Sequence, residues 1–183
     1  MRGEKGQTYD DWIGSESWKG GQEAEDAFGD ALKVKYPFAR RATLQEQYKH
    51  IDWVCPAGSI DVKALKSKSR GTAKDEDTIW LEFKNNLGAP GWLYGEQDFV
   101  AFEGLQDYII VRTGALRRLA EKICNTAELV DSPRNALYKG YSRRNRDDLI
   151  SIIKRSDLLT IVHKKLKKIC HTSTSTTQET LNF

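Results

Sequence analysis

Three short segments in the first half of the chain alternate polar and apolar residues with a period of two, and each carries a carboxylate. They are His50-Ile51-Asp52-Trp53-Val54, Ser59-Ile60-Asp61-Val62-Lys63-Ala64 and Ile79-Trp80-Leu81-Glu82-Phe83-Lys84. That period marks strands with one buried face. Cys55-Pro56-Ala57-Gly58 joins the first two as a turn, setting Trp53 opposite Ile60 and Asp52 opposite Asp61. Folding the second segment onto the third about Gly71-Thr72 would set Ala64 against Ile79 and Asp61 against Glu82. Directly opposed residues of antiparallel strands share a face, with Cβ atoms about 5 Å apart. Asp52, Asp61 and Glu82 would then form one acidic row, with Lys63 and Lys84 two positions along it. Like charges side by side destabilise a sheet; a divalent cation would offset that, and so would the neighbouring lysines. Mg²⁺ prefers oxygen ligands. A lysine beside it can orient a water or stabilise developing negative charge.

The rest of the chain reads as alternating helices and strands, the pattern of an α/β fold with a mixed central sheet flanked by helices. A helix is expected from Gln22 to Leu32, with Ala24, Ala27, Phe28, Ala31 and Leu32 as its apolar stripe and Pro37 as its stop. Glu23 and Glu25 fall in its first turn, where the helix dipole favours them. Strands are expected at 98–102, 108–111 and 149–153, a helix at 114–123, and a C-terminal helix capped by Ser156. The expected organisation is a polar arm over 1–19, one domain over 20–171, and a disordered Ser/Thr-rich tail over 172–183.

Composition narrows the function. A chain of 183 residues can bury a proper core. No apolar run approaches the roughly 20 residues needed to cross a bilayer, and the first residues lack a signal peptide's apolar stretch. Three scattered cysteines, Cys55, Cys124 and Cys170, make no disulfide framework and suit a reducing compartment. The expected location is therefore cytoplasmic, with no membrane partner. Net charge is only +3, but the basic residues cluster. Lys66, Lys68 and Arg70 fall at the tip of the expected hairpin, and Arg143 and Arg146 in a second run. Both runs can contact phosphates, or they can be solvated loops, the second neutralised by Asp147 and Asp148. Trp92 and Tyr94 can stack on unpaired bases or pack in the core. There is no phosphate-binding loop, dinucleotide fingerprint or nucleophile elbow. His163, Cys170 and His171 lack the second ligand pair that zinc would require.

An acidic helix, a strand aspartate and then Glu82-Phe83-Lys84 resemble the PD-(D/E)XK nuclease superfamily, whose core runs helix, three strands, helix, strand. The likeness spans 20–168. The segments Ser59–Ala64, Trp80–Asn85, Gly91-Trp92-Leu93-Tyr94-Gly95 and Asp98–Glu103 also look like uncharacterised phage nucleases of this type. No proline precedes Asp52 or Asp61; Ile51 and Ile60 stand there. The resemblance implies a restriction-endonuclease-like core and Mg²⁺-dependent hydrolysis of nucleic acid, DNA foremost, by an endonuclease acting through a metal-activated water. Mn²⁺ would substitute, a homodimer is compatible, and a phage-encoded protein would work in the host cytoplasm. Asp61 and Glu82 would be the leading ligands, with Asp52 and a first-helix carboxylate, Glu23 ahead of Glu25, as auxiliaries. Strand order assigns the water-assisting role to Lys84. Lys63 is its rival, and choosing it moves the site to Asp52, Asp61 and Lys63. The alternative is a non-catalytic nucleic-acid-binding protein on the same fold.

Overall fold

How each strand is buried decides which of two sheets it joins. The computed structural model describes residues 16–66 and 74–169. In chain order the elements are α1 (Glu16–Lys35), β1 (Arg40–Arg41), α2 (Leu44–Gln47), β2 (Trp53–Cys55), β3 (Gly58–Lys63), β4 (Thr78–Lys84), β5 (Phe99–Glu103) and β6 (Asp107–Arg112). Then come α3 (Thr113–Ile123), β7 (Asn125–Val130), β8 (Lys139–Tyr141), β9 (Leu149–Lys154) and β10 (Val162–Lys167). Short 3-10 turns lie at Trp92–Tyr94, Pro133–Asn135 and Arg155–Thr160. The larger sheet runs β1-β2-β3-β5-β6-β10, and the smaller runs β4-β9-β8-β7. Both are mixed: β3 pairs with β5 in parallel, and β7 with β8. This is an α/β architecture with mixed sheets and flanking helices. No described helix is long and apolar enough to cross a membrane.

The β2–β3 hairpin forms in the expected register, Trp53 against Ile60 and Cys55 against Gly58. The expected pairing of β3 with β4 does not. β3 takes β5 as its other neighbour, with Asp61 beside Val100, while β4 pairs antiparallel with β9, with Glu82 beside Ile150. The reason lies in the side chains. Every residue of β5 is buried, as suits a strand covered on both faces. In β4 only Ile79, Leu81 and Phe83 are buried, so it fits a sheet with one solvated side. The acidic ladder Asp52–Asp61–Glu82 is therefore absent.

Two cores sandwich the larger sheet. On one face Phe28, Ala31 and Leu32 of α1 pack on Trp53, Ile60, Val62, Phe99, Ala101, Tyr108 and Ile110. On the other, Val100, Phe102, Ile109 and Val111 meet Ile79, Leu81, Phe83 and Ile153 of the smaller sheet, with Leu116 and Ala120 of α3 and Trp92 and Leu93. Burying this much apolar surface, at about 25 cal/mol per Å², is the main force joining the two sheets. Several expected elements shift. α1 begins at Glu16 and contains Gly20 and Gly21, and Ala27 is exposed rather than part of the stripe. The expected C-terminal helix is instead the 3-10 turn Arg155–Thr160 followed by β10. Lys154 and Arg155 start the turn, and β10 then completes the sheet along β6, taking up the backbone groups a lone edge would leave unpaired.

Candidate functional site

Asp61 and Lys63 are two residues apart on β3, so both project from the face that carries their parallel neighbours Val100 and Phe102. Asp61 is only 2% exposed. Its backbone pairs with Val100 of β5, and the preceding Ile60 pairs with Trp53 of β2; an ionised carboxylate there is costly unless paired. Lys63 Nζ lies 2.8 Å from both Asp61 oxygens. It donates to Oδ1, and Oδ2 is left buried without a hydrogen bond of proper geometry. Asp52 enters from the neighbouring strand end. Its amide donates to the Ile60 carbonyl, and its Oδ2 accepts from the Val62 amide at 2.7 Å. That bond fixes the carboxylate beside β3, where its charge acts on Asp61.

The electrostatics follow from this crowding. Burial pushes the Asp61 pKa well above the usual carboxylate range; Lys63 pulls it down, and Asp52 pushes it up again. Burial opposes the charge on Lys63, but Asp61, Asp52 and Glu82 outweigh that and hold its pKa above the ordinary lysine value. Lys63 is thus a fixed cation at neutral pH, with its Nζ 4.8 Å from the centre of the Trp92 ring.

The first-helix carboxylate that faces this group is Glu25, not Glu23. Glu23 is exposed. Glu25 is half-buried, and burial and then Asp52 raise its pKa, against Arg41 and Lys63. Its placement starts at Gly29, where a Cβ would fall 1.9 Å from the Trp53 ring. The bare glycine lets α1 lie against β2, and the Trp53 indole N–H then donates to the Glu25 carbonyl at 3.0 Å. Arg41 completes the anchor, donating to Glu25 at 2.8 Å and to Asp26 at 2.6 Å.

Glu82 approaches from the other sheet. It is within electrostatic reach of Lys63 and Lys66, and one of its carboxylate oxygens accepts a long bond, 3.5 Å, from the Trp92 amide. Gly91 makes this possible, since a Cβ there would lie 2.3 Å from the Glu82 carbonyl oxygen. Glu82 therefore borders the Asp52–Asp61–Lys63 group without sharing its strand ladder. Lys84 is exposed, its backbone bridged to Pro90. Among the described residues no ion pair or ring contact joins it to Asp52, Asp61 or Lys63.

The remaining predicted contacts divide. Lys66 is exposed, with Nζ 5.8 Å from the Trp80 ring centre. Desolvation of its ammonium, then repulsion from Lys63 and Arg143, lowers its pKa, against the pull of Glu82. Lys68 and Arg70 lie outside the described residues, as do Cys170 and His171. Trp92 is 8% exposed and packs edge-on against Phe102, so it is a core residue and offers no ring face to a base. Tyr94 gives its hydroxyl to Glu121 and lies under the Arg117 guanidinium. Arg143 is committed to the fully buried Asp148 and to Asn86, leaving Arg146, with a single 3.3 Å bond to Asn86, the freer of the two.

One neighbour carries no role in the sequence reading. His50 sits in a left-handed backbone conformation (φ 61°), which costs a non-glycine residue about 1–3 kcal/mol. Burial and then Lys63 lower its pKa, against Asp52. A positive φ two residues before Asp52 has no sequence signal.

Asp52 and Asp61 suit a hard cation. They are neighbouring carboxylates, one of them buried with an oxygen lacking a hydrogen bond, so a divalent ion would offset both the burial that chiefly raises the Asp61 pKa and the smaller push from Asp52. Among the described residues no three His, Cys, Asp or Glu side chains form a complete ligand set. Mg²⁺ does not require one, since it is often held by one or two carboxylates together with waters and substrate phosphate. No family model, curated protein or solved structure matches this chain.

Proposed function

We propose that this protein is a Mg²⁺-dependent nuclease with a PD-(D/E)XK-like core, hydrolysing phosphodiester bonds of nucleic acid, DNA foremost, at Asp52, Asp61 and Lys63. One observation carries the reading: a buried aspartate and a lysine two residues along one strand, facing an aspartate on the antiparallel neighbour, with a helix glutamate alongside. Asp52 and Asp61 would hold the ion, with Glu25 and Glu82 at its margins. Bound there, Mg²⁺ would polarise the scissile phosphate and lower the pKa of the attacking water. Lys63, beside Asp61 at 2.8 Å, would stabilise negative charge as it builds on the phosphate oxygens. Lys66 and Arg146 would hold flanking phosphates.

A second reading has its own support. Lys63 already neutralises Asp61 at 2.8 Å, as an internal counterion would in a protein that only binds nucleic acid. Incubation with plasmid, single-stranded and branched DNA in Mg²⁺, Mn²⁺ or EDTA separates the two. Cleavage that needs the metal and is lost in Asp61→Asn supports the nuclease. Binding without turnover in either metal supports the second reading.

A further inference from the structure

On the opposite face of the larger sheet, at the far end of the β2–β3 hairpin, a groove opens between the C-terminal turn of α1 and the edge strand β10. Its floor is apolar, built from Leu32, Ile60, Phe99, Ile110 and Leu166. Its rim is not: Lys35, His163 and Lys164 converge there. Lys35 and Lys164 lie 5.7 and 5.8 Å from the centre of one ring, Tyr36, and line the same groove. His163 stacks on Phe99 with centroids 4.9 Å apart.

Two features set this apart from ordinary surface lysines. The first is a β-bulge in β10 between Val162 and Lys164. A bulge re-aims side chains, and this one brings His163 and Lys164, adjacent in sequence, to the same groove. The second is charge. Among the described residues no carboxylate forms an ion pair with Lys35, His163 or Lys164. Contact with Lys35, then burial, lowers the Lys164 pKa, against a pull from Cys55. Two like charges thus share the rim of one apolar floor.

We propose that this groove is a second binding site, for a small anion that joins a phosphate or carboxylate to a ring or short alkyl group. The lysine pair and His163 would take the anion, and the apolar floor the rest. A groove of about 40 Å³ is room for a few water-sized groups, at roughly 10–15 Å³ for one water. Open on one side, it covers the edge of a ring or two or three methylenes, leaves the rest of the ligand in solvent, and excludes a long acyl chain. The site shares no residue with Asp52, Asp61 or Lys63, so it stands or falls apart from the nuclease reading.

Titration calorimetry with phenyl phosphate, benzoate, inorganic phosphate and phenol, at fixed ionic strength, is the test. Phenyl phosphate or benzoate should bind at least tenfold more tightly than inorganic phosphate or phenol, and the better of the two identifies the anion. Lys35→Gln and Lys164→Gln should each weaken that binding at least fivefold. Because each substitution removes a repulsion, the unliganded variants should melt at or above the wild-type temperature, while the ligand-induced rise in Tm shrinks. Equal affinity for phenyl phosphate, benzoate and inorganic phosphate would overturn the proposal. So would ligand binding that both lysine variants leave unchanged, or variants that melt well below wild type, which would make the lysine pair structural.

Discussion

Asp61 is the residue on which the site turns, and its burial separates two effects that a surface aspartate would confound. Replacing it with asparagine keeps the shape and removes the charge. Asp61→Asn should weaken Mn²⁺ binding at least tenfold by calorimetry, and Asp52→Asn should do the same. Glu82→Gln should weaken it less, because Glu82 approaches from the other sheet and its register partner is Ile150. Equal losses in all three would restore Glu82 to the centre of the site. The Asp52–Asp61 pairing was readable from the chain because the turn Cys55–Gly58 fixes the hairpin register. Glu25 was not distinguishable from Glu23, because both fall in one helical turn and only the seat of Gly29 on Trp53 decides which carboxylate faces Asp52.

At the scale of elements, α1 offers a contrast between two glycines. Gly21 has open space around its missing Cβ, whereas Gly29 abuts the Trp53 ring. Alanine is favoured over glycine inside a helix by about 1 kcal/mol, so Gly21→Ala should raise stability by up to that amount. At Gly29 overpacking, typically about 1–3 kcal/mol, outweighs the same gain, and Gly29→Ala should lower the denaturation midpoint. If both substitutions stabilise, α1 does not lie on β2 as described.

The short helix α2 carries a capping box in which Glu46 accepts from the Thr43 amide at 2.7 Å and from both terminal nitrogens of Arg40 at 2.8 Å. The Arg40 pair, then the Thr43 bonds, hold the Glu46 pKa at about 2, below its ordinary value of 4.5. A depressed carboxylate pKa contributes stability above the unfolded value and loses it as pH falls through the folded one. The stability difference between wild type and Glu46→Gln should therefore shrink between pH 4.5 and about 2. A difference that stays constant across that window would remove the cap from the account.

For the whole molecule, the two sheets explain both what the chain disclosed and what it hid. Period-two alternation identified β2, β3 and β4 as strands, and the apolar runs identified β5, β6 and β9. Alternation shows that a strand has one buried face, not which core covers that face. The placement of β4 depended on β9, far along the chain, and on β5 being buried on both sides. The sequence left Trp92 open between stacking on a base and packing in the core, because its burial comes from Phe102 and the smaller sheet, contacts with no local signature.

The same tertiary view separates two arginines that look alike in sequence. Arg143→Ala would strip the buried Asp148 of its guanidinium partner and should cost about 2 kcal/mol of stability. Arg146→Ala should leave stability near wild type and reduce the salt dependence of DNA binding by about one ion. Denaturation and binding titrations across a salt series distinguish them, and an unchanged salt slope for Arg146→Ala would remove it from the nucleic-acid surface.

The proposed chemistry belongs to Asp52, Asp61 and Lys63 at the β2–β3 hairpin, not to Lys84 on the smaller sheet. Single-turnover cleavage of DNA at saturating enzyme and Mg²⁺ tests it most directly, with Lys63→Ala and Lys84→Ala measured side by side. Lys63→Ala should lose rate at least a hundredfold and Lys84→Ala should stay within about threefold of wild type, an electrostatic group of this kind contributing roughly 3 kcal/mol to the barrier. A dead Lys84→Ala beside a nearly normal Lys63→Ala would contradict it.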